Sequence, residues 1–454
     1  MKNRKPLLIC FVIAATVTSC IIFGRQKLEN SFIVRVSTDE LISQLSVNKN
    51  DNYLLEALRL ANEAYQVSDE EYITLFGRAY SDVTSGADLA PLFITPRLRS
   101  HINSDYSNEE VLSVLKRELG YTIDDIKKVL ESRFVRHGIY HFSMERAGNS
   151  DTISIGLPAV EDPDRLRNLI EARAKVGIWD TYGFDEIYSH FFEVNKLLFG
   201  VNISDIKEDL RKRESHEMPG VDKYRQSALK SRESLYSSDL SDFITGNITP
   251  GDEPQFKEFA IENPLFAFLI PNMAPDERGS LSPVQGPVVG FTYLSDTAMV
   301  NYLLNQEQAK SVLPQDLRLL WGYKPIPDSG DMMQLFAIRV KTNDGSAIVN
   351  EESIIDADPG YGKDHNAPIS ISLNREGTRL NERLTRDNIG RNIAIVLDDH
   401  LLSAPRVNNA VSESQFPLMA QFATVEERYD IANLLASGSL PIAVTIVKES
   451  ILKE

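Results

Sequence analysis

Gly390-Arg-Asn-Ile-Ala-Ile-Val-Leu-Asp-Asp-His-Leu-Leu-Ser-Ala-Pro405 reads as a β-hairpin, and the rest of the fold assignment works outward from it. Ile393 to Leu397 is an unbroken apolar run of the kind buried strands carry. Asp398-Asp399 is a tight two-residue turn, and Leu401 to Val407 is the returning strand. Upstream, Ile369-Ser-Ile-Ser-Leu373 alternates as a strand, and Asn374 is a helix N-cap. That helix runs to about Asn388 and stops at Ile389-Gly390. Downstream, Thr424 caps a helix that carries Ile431, Leu434 and Leu435 inward and ends at Gly438; Ile442 to Val447 is a last strand. The order is βαββαβ.

The same order occurs earlier in the chain. Phe32 to Val36 is a strand, and Ile123, Ile126, Val129, Leu130 and Phe134 fall at helical spacing before a stop at His137-Gly138. Ile139 to Glu145 and Thr152 to Leu157 read as strands around a turn at Gly148 to Asp151. Asp162-Pro163 opens a helix with Leu166, Leu169 and Ile170 inward, and Val176 to Asp180 closes the unit. Two such split βαβ units are the ferredoxin-like pattern. The fold expected is therefore α+β: two ferredoxin-like βαββαβ repeats forming a base, with a helical insertion and an inserted α+β head. The base takes residues 31–181, with the helical insertion at 40–120, and residues 363–449; the head takes 182–362. Within the head, Gly290 to Leu294 and Gln334 to Lys341 are strands flanking a helix near Thr297–Leu304, and Pro250 to Arg278 reads as a linker or exposed loop. Lys207 to Glu217 reads as a solvated helix face.

The full chain has 454 residues, 42% apolar and 25% charged, which excludes a disordered or polytopic membrane protein. A net charge of −17 argues against nucleic acid and anionic lipid as partners of the body, because both need a basic face. Attachment to a membrane then requires a discrete anchor. Lys2, Arg4 and Lys5 precede an apolar run from Leu7 to Ala15, and Val17-Thr18-Ser19-Cys20 follows. This is the layout of a secretory signal peptide over residues 1–20. It also resembles a bacterial lipobox, which makes Cys20 the lipidation residue. The alternative is an uncleaved helix from Leu7 to Phe23, at the short limit for a span. Both place the body outside the cytoplasm, on the periplasmic side of the cell envelope. No cysteine follows Cys20, so internal disulfides are excluded.

The hairpin Gly390–Pro405 and the helix end Ala432-Asn-Leu-Leu-Ala-Ser-Gly-Ser-Leu-Pro441 resemble the SecD family, membrane subunits that assist Sec-dependent protein export. Glu131–Gly138 is similar to a family helix terminus, and Ile155–Val160 with Asp162-Pro163 to its "V.LPG…P" segment. Gly177–Tyr182, Gly286–Gly290 and the inserted helices look like the fused SecDF form of Bacteroidetes. The resemblance covers about residues 32–449 and implies the first periplasmic domain. Three departures stand out. The family's "LDLQGG" segment is missing, Ser414–Leu418 replaces its ITG-type turn, and the family's transmembrane helices with their proton-conducting carboxylate have no counterpart before Glu454. Proton-driven work is therefore not carried over.

No residue pattern points to an enzyme. His137 and His141 have metal-ligand spacing, but Gly138 interrupts the helix between them. Gly360-Tyr-Gly362-Lys363 lacks the ending of a phosphate loop. No cofactor is implied. The function expected from the resemblance is a membrane-anchored accessory to export that binds translocating or unfolded polypeptide, with Sec translocon components as further partners. Its alternative is a degenerate relative serving as a non-catalytic envelope scaffold. Polypeptide contacts are assigned to head residues Phe266, Phe268, Phe291, Tyr293 and Leu294, and a hinge to Tyr182, Gly183, Gly360 and Gly362.

Overall fold

The computed structural model describes residues 28–451 apart from 69, 148–150, 160, 161, 204, 207, 209, 211–258, 278, 343, 361 and 363. The leader and Cys20 lie outside the described residues, as does most of the charge run 207–217. The chain divides into two compact units, one of residues 1–173 with 439–454 and one of residues 174–438.

The first unit is built on a four-stranded antiparallel sheet. Its order is Val444–Ser450, Asn30–Val36, Thr152–Leu157, Ser143–Arg146. Phe32, Val34 and Val36 alternate with less buried neighbours and are buried beside Ile153, Ile155 and Leu157, so period two in the sequence becomes one covered face. The covering helix runs unbroken from Asn108 to Arg136. Ser107 opens it with a capping box: its hydroxyl accepts from the Glu110 amide, and the Ser107 amide donates to the Glu110 carboxylate. The helix buries Val111, Leu115, Leu119, Ile123, Ile126, Leu130 and Phe134 as one stripe. The helical spacing read at Ile123–Phe134 is thus the later half of a 29-residue element that starts inside the expected helical insertion. Gly138, at φ 76°, ends it in a conformation that an L side chain resists. Helices Asn52–Tyr65 and Tyr72–Thr84 pack as a pair in the insertion.

Here the expected architecture is corrected. The first repeat does not close with its own last strand. Val176–Thr181 leaves for the second unit, and the C-terminal strand Val444–Ser450 takes the place beside Asn30–Val36. The second repeat forms no sheet of its own. Ile369–Leu373 lies between Ile354–Asp358 and Gln415–Leu418, while the hairpin Ile393–Leu397/His400–Ser403 joins a larger sheet.

That larger sheet is the frame of the second unit. Its main path is His400–Ser403, Ile393–Leu397, Val176–Thr181, Met332–Arg339, Val288–Tyr293, Ile270–Pro271, with Leu317–Trp321 and Val349–Asn350 pairing off it. Alternation along Met332–Arg339 builds two cores. Leu335 and Ala337 face helices Phe184–Leu197 and Thr297–Leu304, whereas Phe336 and Ile338 pack with Trp179, Ala394 and Val396 on the other face. The division at 363 expected within the chain is not followed: residues up to Gly438 pack with the second unit. The linker expected at Pro250–Arg278 is also replaced where it is described. Leu265, Phe268 and Leu269 are core residues, and Ile270–Pro271 and Met273–Pro275 are strands.

Candidate functional site

The five head residues assigned to polypeptide contact do not form one exposed surface. Phe266 and Phe268 lie in the core with Leu265 and Leu269. Phe291 and Tyr293 are partly buried on Val288–Tyr293, whose Thr292 hydroxyl donates to the Phe268 carbonyl at 2.6 Å. Leu294 alone is exposed.

Phe266 nevertheless leads to an exposed surface that sequence reading missed. The Phe192 ring meets it edge-on at 4.8 Å, and Tyr188 meets Phe192 at 6.2 Å. Both Tyr188 and Phe192 sit on helix Phe184–Leu197 and are more than a third exposed. Phe199 follows at 65% exposed, and Ile261 lies alongside because the Gly200 amide donates to its carbonyl. The signal available in the sequence was the i, i+4 pair Tyr188/Phe192 beside the more buried series Phe184, Ile187, Phe191, Val194. A helix with apolar residues on two adjacent flanks has one more flank than a single core needs.

The four hinge residues all fall inside the second unit, and all four are bonded there through their side chains or backbone. The Tyr182 hydroxyl donates to Asp316 at 2.5 Å, and the Arg339 guanidinium lies 3.9 Å over its ring. Burial is the main cause that pushes the Tyr182 phenol above its ordinary range. The Gly183 amide donates to Glu186, which also pairs with Arg339 and Arg391. The Gly360 carbonyl accepts from the Tyr429 hydroxyl. Arg428, fully buried, donates to the Pro359 carbonyl and to that of Gly362 at 3.1 Å. The chain crosses between the units elsewhere, at Arg173/Ala174 and Gly438/Ser439. Ala174 and Gly438 both have positive φ, 57° and 84°.

The hairpin turn Asp398-Asp399 takes left-handed φ values of 47° and 63°, as a two-residue primed turn requires. Asp398 accepts from the Ala174 and Lys175 amides, and Asp399 pairs with Arg318 at 2.6 Å. His137 caps the end of its helix, with Nδ1 2.8 Å from the Arg133 carbonyl.

A family model described as "SecDF, P1 head subdomain" matches residues 333–442. A protein translocase subunit SecD of Rhodothermus marinus is 25% identical over 421 residues, covering 92% of this chain and 60% of its own. The chain is similar to the SecD/SecDF family over most of its length. A SecD of Desulfurispirillum indicum is 40% identical over 163 residues, which are 36% of this chain and 31% of that one. The chain thus spans 60% of the length of the first of these SecD relatives and 31% of the second. Among solved structures, a SecDF in a super-membrane-facing form matches at a TM-score of 0.33 and 16% identity, over 72% of this chain and 28% of that one. A second, a membrane component SecDF that enhances protein export, matches at 0.32 and 16%, over 72% and 91%. The head-subdomain model takes in the SecD-like hairpin and helix end that sequence reading had placed in a base. Among the described residues no helix is long and apolar enough to cross a membrane.

Proposed function

We propose that this SecD relative is an extracytoplasmic accessory to Sec-dependent export that holds translocating or unfolded polypeptide with its second unit. The observation that carries this reading is the similarity to SecD along 92% of the chain, together with the head-subdomain match. The protein acts by holding rather than by chemistry, and it takes no cofactor. Lipid on Cys20 tethers it to the periplasmic side of a membrane. We read the first unit as a ferredoxin-like base. The support is its strand order: with the C-terminal strand counted fourth, it runs 4-1-3-2. A base of this kind needs both ends of the chain, so the second unit is presented between two crossings.

The test is capture of the native protein from its membrane, followed by identification of what accompanies it. Sec channel components and nascent exported chains are expected. A stable set of envelope proteins without either, and unchanged secretion after gene deletion, would replace this reading with that of a non-catalytic scaffold. Mass spectrometry of the mature N-terminus checks the lipid on Cys20.

A further inference from the structure

We propose that Tyr188, Phe192 and Phe199, with Ile261 beside them and Phe266 as floor, form a docking surface for an apolar polypeptide segment flanked by lysine or arginine. The inference rests on the reading that the protein holds non-native polypeptide; it adds the surface and the charge preference.

Exposed apolar residues scattered singly need no explanation, but a connected group marks an interaction site. Here the rings of Tyr188, Phe192 and Phe266 touch in series, and the amide of Gly200, the residue after Phe199, donates to the Ile261 carbonyl and holds the two segments side by side. The surface is held in place from below. Asn195, on the same helix and 5% exposed, accepts from the Leu265 and Phe266 amides at 3.1 and 3.2 Å and donates to Asn263 at 3.0 Å. Its amide fixes the turn that carries Phe266 against the helix that carries Phe192. Aromatic groups already fixed in this way lose little conformational freedom on binding.

Charge selects the occupant. Among the described residues, the segments bearing the surface carry exposed Asp185, Glu193, Asp205 and Glu262 against Lys196, which is drawn to Glu193 at 4.0 Å, while Glu186 on the same helix is balanced by Arg339 and Arg391. An acidic frame around an apolar floor favours a ligand whose apolar residues are bordered by cations. It disfavours an anionic lipid surface. It also disfavours a second copy of this chain, which brings its own charge of −17.

The experiment measures binding of two short fluorescent peptides to the full-length protein by anisotropy. Both peptides share one apolar core, flanked in one by lysines and in the other by glutamates. The lysine-flanked peptide is expected to bind about tenfold more tightly at low salt, with the gap shrinking at high salt. Phe192→Ser with Phe199→Ser should weaken both peptides about tenfold. Asp185→Lys with Glu262→Lys should abolish the preference and leave binding in place. If the double serine variant fails to fold, Phe199→Ser alone serves, since that ring is mostly in solvent. Unchanged binding in the serine variants overturns the surface but leaves the holding function standing, whereas no peptide binding by the unaltered protein removes both. Equal affinity for the two peptides overturns the charge preference. Binding that emerges only after residues 211–258 are removed assigns the surface to the chain's own segment and overturns the proposal.

Discussion

Asp151 shows how one side chain ties a turn to the helical insertion. It is 2% exposed, and both carboxylate oxygens lie within 2.8 Å of the Tyr65 hydroxyl, over whose ring Arg35 stacks. Burial raises its pKa above the ordinary 3.8; the Tyr65 hydrogen bond and the Arg35 charge oppose that, and Glu71 adds to it. In the unfolded chain Asp151 loses its proton at lower pH than in the folded one. The stability it contributes is therefore present below pH 3.8 and lost as pH rises through the raised folded value. Urea unfolding across this range should show a steeper loss of stability in the wild type than in Asp151→Asn, and parallel curves would contradict the assignment. Arg428 is a second case. Fully buried, it spans from its helix to the carbonyls of Pro359 and Gly362. Arg428→Met removes two charge-assisted bonds and leaves two carbonyls short of a donor, a loss of about 3 kcal/mol measurable by chemical denaturation. A loss below about 0.5 kcal/mol would show that the loop does not depend on it.

At the scale of elements, the exchange of strands is the main finding. Val444–Ser450 pairs from Ser31↔Ser450 to Val36↔Val444, with a bulge between Ile33 and Val34. Removing residues 444–454 should expose the Asn30–Val36 edge. Hydrogen exchange at the amides that face the deleted strand, those of Ile33 and Arg35, should then accelerate to near the unfolded rate, while the Val36 amide, which donates to the Asp151 carbonyl, and Ile393–Leu397 stay protected. Slow exchange throughout would mean that another strand closes the sheet. Element existence was legible from sequence, and pairing was not. Ile369–Leu373, Ile393–Leu397 and Thr152–Leu157 lie where alternation and apolar runs put them, and Asn374, Thr424 and Asp162 cap their helices through side-chain bonds. Period two states which face of a strand is buried but not which strand lies beside it. The run Ile393–Leu397 called for two neighbours. One is its own hairpin partner; the other, Val176–Thr181, is about 215 residues distant and includes buried Asp180 and Thr181, which disguise it as a polar-ended edge.

For the molecule as a whole, the division at Arg173/Ala174 and Gly438/Ser439 makes the second unit continuous in sequence and the first discontinuous. Residues 174–438 expressed alone should unfold cooperatively by calorimetry, whereas residues 28–173 without 439–451 should not, because their sheet lacks its fourth strand. The opposite pattern would contradict the partition. The candidate surface was legible only in part. Sequence reading reached Phe266, which turns out to be the floor, and passed over Tyr188, Phe192 and Phe199, because a helix displays a second apolar flank only once the first is known to face a core. The SecD motifs mark the hairpin and helix end that frame the second unit, so they locate the scaffold and not the rings exposed on it.

The central claim is that the second unit holds a polypeptide in transit. It is tested most directly by placing a photo-crosslinking residue at Phe199, and in parallel at exposed Tyr140 of the first unit, in cells where a secretory chain is arrested part-way across the membrane. The account predicts adducts with the arrested chain from position 199 and none from 140. Adducts from 140 alone, or from neither position, would contradict it.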